Sequence, residues 1–345
     1  MHRCLQIAEI VGHVVSYIDE KLVDVALVSH AFYDPAMDLV WRRLDSIEPL
    51  LELLTGELER GEDGSDLLTV SGMTSDRNWS RLRHHSRRVR ELTLYEADEY
   101  YGFFGDLLDN CPRPLLPNLQ DLTCLNSPWL HVFLGPSVKS LTVECHADSI
   151  GYVFSTIEKQ AQGLRELRLL DRLSNEDKGG NEAIYSALLS LKHLVALKMN
   201  GVIPRDALVH LAHLATLQSL THLPLGNSYQ DLLIGTTNVF SSLHKLGLVV
   251  APMRIQASTS FLSSIRPRLL IQLDIIDACE DGPRELDVDA FSTFLASASR
   301  FQSLTAIKLE FDEVPQSLVG SSLSNLYPLR NLRQLRVRGI TIMLA

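Results

Sequence analysis

The chain has 345 residues, of which 46% are hydrophobic and 21% charged, and its formal net charge is −10. This composition is typical of a folded globular protein and excludes a disordered chain. The acidic balance argues against a broad nucleic-acid surface, which needs clustered lysine and arginine. No apolar run approaches the ~18 residues of a membrane-spanning helix, and no signal-peptide pattern is present. We therefore expect neither a nucleic-acid nor a membrane partner, and a location in the cytoplasm, the nucleus or both.

The first 44 residues contain three short segments of helical periodicity. The apolar positions of the first segment fit a helix with one buried stripe: Ile7, Ile10, Val11, Val14, Val15 and Ile18. The second segment, Leu22 to Phe32, is apolar on almost every side. The third is predicted to begin with Asp34 as N-cap and Pro35 at the first helical position.

Three such helices in so few residues cannot bury this much apolar surface against one another. The remainder of that surface must be covered by another part of the chain or by another protein. This excess of apolar surface is the main indication of function in the sequence.

A repeated L-x-x-L-x-L pattern fills most of the rest of the chain. Its copies start 19 to 34 residues apart, with a mean spacing of 27, at Val89, Leu119, Val138, Leu164, Leu194, Leu220, Leu243, Leu270, Leu304 and Leu332. This period is typical of leucine-rich repeats. Helical segments between the strands are expected at 181–191, 205–217 and 289–301. The 19-residue interval is expected to lack a helix.

We therefore predict an α/β fold in which an N-terminal three-helix module precedes an irregular solenoid, with parallel strands on its concave face and helices on its convex face. A doubly wound sheet and a barrel are the alternatives, because both also alternate strand and helix. Their strands would read as continuous apolar runs. The apolar/polar alternation here favours a sheet with one solvated face, as in a solenoid.

The solvated sheet face is the candidate surface for binding a target protein, because strand residues alternate between the two faces of a sheet. The side chains expected there are Glu166, Arg168, Lys198, Asn200, His222, Lys245, Asp274, Lys308, Glu310, Arg336 and Arg338. Both signs of charge occur, so no single ligand class is implied.

The sequence contains no catalytic or phosphate-binding motif, so we expect neither an enzyme nor a cofactor. Five scattered cysteines without a CxxC pair predict neither a disulfide framework nor a zinc finger. His210 and His213 are expected to flank buried leucines rather than to hold a metal. The arginine-rich segment 77–90 is interpreted as a solvated helix face in preference to an import signal or an acidic-partner patch. His84 and His85 are expected to be exposed there.

The N-terminal residues resemble an F-box. The resemblance rests on the segments Leu5-Gln6-Ile7-Ala8-Glu9-Ile10, Val14-Val15-Ser16-Tyr17-Ile18-Asp19, Ala26-Leu27-Val28-Ser29-His30-Ala31-Phe32 and Asp34-Pro35-Ala36-Met37-Asp38-Leu39-Val40-Trp41. Together with the repeats, it is closest to the fungal-type F-box proteins with leucine-rich repeats. Ala8 stands where the family usually has a proline.

The resemblance implies an F-box at 1–46, a connecting segment at 47–76 and a degenerate repeat domain at 77–345. It also implies a substrate-recognition subunit of an SCF (Skp–cullin–F-box) ubiquitin ligase. Such a subunit docks on the Skp adaptor, and through it on cullin, and binds an unidentified target protein with its repeats. The residues assigned to the F-box core and its Skp-facing surface are Leu5, Ile7, Ala8, Glu9, Ile10, Val14, Ile18, Leu22, Val25, Val28 and Trp41.

Two other interpretations remain open. The chain could be a leucine-rich-repeat scaffold unconnected to ubiquitin, whose N-terminal helices cap the first repeat, or an enzyme built on a barrel. The end of the chain at Ala345, just past the repeat that starts at Leu332, is expected to reflect a shortened sequence or an edge covered by a partner.

Overall fold

The computed structural model describes residues 7–18, 20–55, 59–60, 68–69, 76–95, 113–125, 129–144, 149–172, 178–200, 203–224, 239–250, 255–265, 269–277, 288–310, 322–337 and 340–343. The protein is a mixed α/β molecule of parallel strands and helices. It forms two compact units, Met1–Glu144 and Cys145–Ala345. Within the described segments, no helix has both the length and the apolarity needed to cross a bilayer.

The first unit begins with helices and continues with a parallel sheet. Its helices are α1 (Ala8–Val15), α2 (Leu22–Val28), α3 (His30–Val40), α4 (Glu48–Thr55), α5 (Asp76–Ser86) and the single turn α6 (Leu130–Phe133). Its strands are β1 (Arg43–Leu44), β2 (Glu59–Arg60), β3 (Leu68–Thr69), β4 (Glu91–Leu94), β5 (Asp121–Cys124) and β6 (Ser140–Val143). Strands β1, β4, β5 and β6 pair in parallel in that order, and β2 and β3 form a separate antiparallel pair. The turn α6 occupies the interval that was expected to lack a helix.

Helices α1, α2 and α3 pack around a small core of short side chains. Its fully buried members are Val11, Val15, Ala26 and Ala36. Half-buried side chains that pack against them are Leu22, Val25, Phe32, Met37 and Leu39. Helix α3 therefore holds the other two helices in place.

The predicted start of the third helix at Asp34 is wrong. Helix α3 begins at His30, directly after the extended residue Ser29, and Pro35 lies inside it. The proline has no N–H to donate to the carbonyl of Ala31, which costs the helix one hydrogen bond. Phe32 packs against the three-helix core from the first turn, and this burial outweighs the local capping preference of the Asp-Pro pair.

Strand β1 was not predicted, and it joins the helices directly to the sheet. It follows α3 after only Trp41 and Arg42 and pairs in parallel with β4, with Leu44 beside Leu92. A two-residue strand is too short to display the alternation that identifies strands in a sequence. The three helices therefore lead directly into the first strand of the sheet.

The second unit alternates strands and helices. Its strands are β7 (Glu166–Arg172), β8 (Ala196–Asn200), β9 (Ser219–Pro224), β10 (Lys245–Val250), β11 (Gln272–Asp277), β12 (Ala306–Glu310), β13 (Gln334–Val337) and β14 (Ile340–Met343). Its helices are α7 (Ile150–Gln160), α8 (Lys178–Ser190), α9 (Arg205–His213), α10 (Ile255–Ser264), α11 (Val288–Ala298) and a 3-10 helix, Ser322–Leu326. The three helices expected from the sequence are confirmed, with bounds that differ by up to four residues.

Strands β7 to β13 pair in parallel, each with its neighbour in the chain, and β14 adds an antiparallel edge. The second leucine of each repeat lies in one row across the sheet: Leu167, Leu197, Leu220, Leu246, Leu273, Ile307 and Leu335. This sequential order and common register are compatible with a solenoid. A doubly wound sheet would reverse its strand order partway across.

One repeat was assigned the wrong starting residue. Strand β9 pairs with β8 so that Leu220 lies beside Leu197, the second leucine of its repeat. The repeat therefore starts at Leu217, not at Leu220. The pattern from Leu220 is complete, with Leu223 and Leu225, whereas from Leu217 its last position is His222; only strand pairing selects Leu217.

The core of the second unit lies between the sheet and the helices. Helix side chains that are completely buried include Phe154, Ile157, Phe261, Phe294 and Leu295. Successive helices pack side by side, α7 on α8, α8 on α9 and α10 on α11. The other sheet face carries the half-exposed and polar residues, as the alternation along β12 shows.

Candidate functional site

Helix α1 carries two apolar stripes, not the single stripe expected from the sequence. Val11 and Val15 are buried in the three-helix core, at 1% and 0% exposure. Ile7, Ile10 and Val14 point away from that core and remain 47%, 39% and 43% exposed. Helices α2 and α3 cover only the stripe that contains Val11 and Val15. The other stripe of α1 therefore faces solvent.

Helix α2 repeats this arrangement. Ala26 is buried and Val25 packs against the core, whereas Val23, Leu27 and Val28 are 54%, 76% and 72% exposed. Tyr17, in the turn that follows α1, is 74% exposed. We call these exposed apolar residues of the first two helices the N-terminal apolar surface: Ile7, Ile10, Val14, Tyr17, Val23, Leu27 and Val28.

This surface is unusual within the chain. Of the 14 large hydrophobic side chains that are exposed among the described residues, eight fall between Ile7 and Tyr33. Single exposed hydrophobic residues are normal on a folded protein, but a concentration on two consecutive short helices is typical of a binding surface.

The residues assigned from the F-box resemblance fall into two groups. Six are exposed: Ile7, Ala8, Glu9, Ile10, Val14 and Val28. The others are half-buried: Ile18, Leu22, Val25 and Trp41. Leu5 lies outside the described residues. Val23 and Leu27, which are 54% and 76% exposed, were not among the residues assigned from the resemblance.

Trp41 contacts helix α5. Its ring lies 4.6 Å from that of His85, measured between ring centroids, with 37° between the planes. Burial, together with the nearby charges of His84, Arg88 and Arg81, lowers the pKa of His85 to about 4. His85 is therefore a neutral, buried residue at pH 7, and the expectation that it is exposed was wrong.

The arginines of the α5 segment also divide by environment. Arg81, Arg83 and Arg87 are exposed. Arg90 donates to the carbonyls of Arg87 and Asn118 at 3.1 and 3.2 Å, and Arg88 is nearly buried. The prediction of a solvated helix face therefore describes Arg81 and Arg83, whereas Arg88 and Arg90 follow α5 and make contacts within the fold.

The second candidate surface is the solvated face of the β7–β13 sheet. Its register places Arg168 beside Lys198, and Asp274 beside Lys308, which in turn lies beside Arg336. Five residues predicted for this face therefore lie in one row across the strands. Gly247 occupies the same row next to Asp274 and leaves a position without a side chain.

Several charges on this face pair with one another. Arg168 Nη2 lies 3.2 Å from Glu166 Oε2, and Lys308 Nζ lies 2.7 Å from Glu310 Oε1.

Asp274 is only 8% exposed; its carboxylate accepts hydrogen bonds from Gln272 Nε2 at 2.9 and 3.1 Å and lies 3.3 Å from Lys245 Nζ. Within the described part of the chain, Lys198 and Arg336 have no such ion pair.

Three residues predicted for this face, Asn200, His222 and Arg338, are not shown to lie on it. The register places Thr221, not His222, beside Lys198, because the repeat starts three residues earlier than expected. His222 and Asn200 belong to strands β9 and β8, but their side chains lie outside the described residues, as does all of Arg338.

A metal site at His210 and His213 has no support in the geometry. His213 Nδ1 lies 2.8 Å from the carbonyl oxygen of Val209. Burial, followed by the charges of His213 and Lys192, lowers the pKa of His210. Over the described ranges, no group of three or more His, Cys, Asp or Glu side chains is placed to hold a metal ion.

Comparison with known proteins places few constraints on the chain. No protein-family model matches it, and no curated protein matches it. Among solved structures, the matches include the crystal structure of a protein from Bacteroides fragilis, at 15% sequence identity and a TM-score of 0.35. That alignment covers 60% of this chain and 68% of the bacterial one.

Proposed function

We propose that this protein is a substrate-recognition subunit of an SCF-type ubiquitin ligase, acting in the cytoplasm or nucleus. Helices α1 and α2 dock on the Skp adaptor, which connects the chain to cullin. The repeats bind the target protein, and other subunits transfer ubiquitin, so this chain performs no bond chemistry. The observation that carries the proposal is the N-terminal apolar surface, which coincides with the segment that resembles an F-box.

The energetics of that surface support a protein partner. Fully burying a Val, Leu or Ile side chain contributes about 1.5–3 kcal/mol relative to exposure. The seven side chains of the surface are already partly covered, so their complete burial would contribute roughly 5–10 kcal/mol before the costs of association. That is enough to drive specific binding when the partner's surface is complementary.

The proposal is tested by co-expressing the full chain with a Skp adaptor and measuring copurification. We expect the double substitution Ile10→Lys and Val14→Lys to abolish copurification, because both side chains are exposed and two ammonium groups would have to be buried at the interface. Leu269→Lys is the matched control, because Leu269 is also 47% exposed but lies in the second unit.

Circular dichroism must show that all three proteins remain folded. Copurification that survives the double substitution, or that fails equally in the control, would refute docking through α1.

The second candidate function is a leucine-rich-repeat scaffold unconnected to ubiquitin. The pairing of β1 with β4 favours it, since the N-terminal helices then lead into a strand at the edge of the sheet, the position of a terminal cap. A scaffold would purify without the adaptor, and the lysine substitutions in α1 would leave its partners unchanged.

The same proposal assigns target binding to the solvated face of the β7–β13 sheet. Support comes from the row of polar and charged residues there, of which Lys198 and Arg336 have no partner among the described residues. A charged, rigid sheet face is suited to selecting a partner by electrostatic complementarity.

A further inference from the structure

Arg88 connects helix α3 to the segment between α5 and β4. Its guanidinium Nη2 donates to Asp34 Oδ1 at 2.5 Å, and its Nη1 donates to the Asp34 carbonyl oxygen at 3.2 Å and to the Asp38 carboxylate. Nη2 also lies 3.0 Å from His84 Nε2. One side chain therefore binds two successive turns of α3 from the turn that follows α5, 50 and 54 residues further along the chain.

The environment of Arg88 distinguishes this contact from an ordinary surface ion pair. The Arg88 side chain is only 9% exposed, whereas those of Asp34 and Asp38 are 71% and 61% exposed. Burial disfavours the charged guanidinium, but the hydrogen bonds and charges of the two aspartates outweigh it and raise the pKa of Arg88. Exposed ion pairs contribute little to stability, but a shielded arginine that bridges two carboxylates holds a defined geometry.

Other contacts join the same two segments. The ring of Trp41, at the end of α3, lies tilted against that of His85. The carbonyl oxygen of Arg42 accepts from the N–H groups of Arg90 and Glu91 at 2.8 and 3.0 Å. Beyond these, Arg43 Nη2 lies 2.6 Å from Glu91 Oε2. We call the set Asp34, Asp38, Trp41, His85 and Arg88 the α3–α5 junction.

Fixing the position of helix α3 also fixes helices α1 and α2, because the three helices share one core. Ala36 of α3 packs with Val11 and Val15 of α1 and Ala26 of α2 in one core. Whatever fixes α3 relative to strands β1 and β4 therefore also fixes α1 and α2.

We propose that Arg88 is a positioning residue, which sets the orientation of helices α1–α3 relative to the first strands of the sheet by bridging Asp34 and Asp38. The consequence for ubiquitin transfer, a fixed orientation between the adaptor and the first repeats, rests on the proposed function. The contacts of Arg88 do not depend on it.

The test uses the full chain with Arg88→Met, which preserves much of the side-chain volume and removes the contacts of the guanidinium with the exposed residues Asp34, Asp38 and His84. A second variant, Asp34→Ala with Asp38→Ala, removes both carboxylates that bind Arg88 by changing exposed residues, and it provides the test if Arg88→Met does not fold. Arg87→Met is the matched control, because Arg87 is the exposed neighbouring arginine.

Three measurements are made on each protein. They are hydrogen exchange of residues 30–40 and of the second unit, the distance distribution between dyes attached at the exposed Asp24 and Tyr95, and Skp copurification. For both junction variants we expect exchange about tenfold faster in residues 30–40, because a charge-assisted contact that opposes local opening is lost. We also expect a broader dye distance distribution, with adaptor capture and exchange in the second unit as in the control.

Junction variants that match Arg87→Met in exchange and in distance distribution would overturn the proposal. Exchange that rises equally in residues 30–40 and in the second unit would also overturn it, since Arg88 would then contribute to general stability and not to orientation. Failure of the wild-type chain to bind the adaptor would refute the proposed function. The positioning role of Arg88 would still be tested by hydrogen exchange and by the dye distance distribution.

Discussion

Two adjacent histidines, His84 and His85, show that burial determines the chemistry of a side chain more than its type does. His84 is exposed, whereas His85 is 9% exposed and lies against the ring of Trp41. The sequence could not distinguish them, because the residue that covers His85 lies more than 40 positions earlier in the chain. Arg88 is a similar case. In the sequence it belongs to the same basic cluster as the exposed arginines of α5, but in the fold it is nearly buried and contacts Asp34.

His85 gives the protein a predictable dependence on pH. Its pKa is about 4 in the folded protein, below the ordinary value of 6.5, so the unfolded chain binds the proton more readily. Stability from this residue is therefore complete above pH 6.5 and is lost as the pH falls toward 4. We expect a loss of about 1–2 kcal/mol over that range, since each pKa unit corresponds to about 1.4 kcal/mol and nearby solvent reduces the full difference.

Urea unfolding of the wild type and of His85→Phe at pH 7 and pH 4.5 measures this loss. Phenylalanine preserves an aromatic contact with Trp41 but cannot titrate, so the variant should lose less stability on acidification. The half-buried His210, whose pKa is also lowered, affects both proteins equally. Equal losses in the two proteins would contradict the assignment of the acid sensitivity to His85.

At the scale of single elements, the sequence predicted the type of most elements but not which side of each is covered. The leucine pattern located strands β4 to β13, because each buries alternate side chains. It could not separate the two stripes of α1, since Val14 and Val15 are chemically identical and only packing against α2 and α3 distinguishes them. Strand β1 carried no detectable period, and the start of α3 followed burial of Phe32 and not the local capping signal.

The two stripes of α1 predict opposite results for adjacent valines. Val15→Ala should lower the free energy of unfolding by about 1–2 kcal/mol, because it leaves a cavity in the three-helix core. Val14→Ala should change it by less than about 0.5 kcal/mol, because Val14 is exposed. Under the proposed function, Val14→Ala should in turn weaken adaptor binding.

Chemical unfolding and adaptor titration of both variants provide the measurement. A destabilising Val14→Ala would show that the outward stripe is covered within the chain, and the argument for a docking surface would fail.

Helix α3 allows a second prediction, in which a substitution raises the free energy of unfolding. Pro35 lies in the helix interior, where proline costs about 3 kcal/mol relative to alanine, and the N–H of an alanine would reach the carbonyl of Ala31. We expect Pro35→Ala to raise the free energy of unfolding by about 1–3 kcal/mol, measured by urea unfolding. A decrease would mean that packing of the half-buried proline ring contributes more than the missing hydrogen bond.

At the scale of the whole molecule, the pairing of β1 with β4 changes how the competing functions can be separated. Deleting residues 1–50 would remove strand β1, the buried Leu44 and the ring that covers His85. It would destabilise the first sheet whether the helices serve as a docking module or as a cap. Substitutions of exposed residues, which leave the sheet intact, are the discriminating experiments.

The proposal that adaptor and target use separate surfaces predicts that each can be lost without the other. Lys198→Glu with Arg336→Glu reverses the two cations of the sheet face that have no ion pair within the described residues. A target that is complementary to this face should then bind roughly 10-fold or more weakly, since like charges placed across an interface oppose association. Adaptor copurification should be unchanged, because neither residue is near α1 or α2 in the chain.

Quantitative mass spectrometry of copurifying proteins measures both effects at once. Lys159→Glu with Arg300→Glu is the matched control, because it makes the same charge change at exposed residues on helix α7 and after helix α11. A protein retained by the wild type and the control, lost from the sheet-face variant and still retained by Ile10→Lys with Val14→Lys would be a target bound by the sheet. If both charge variants retain every partner equally, the sheet face is not the recognition surface, because Lys198 and Arg336 would then contribute nothing that the helix face does not.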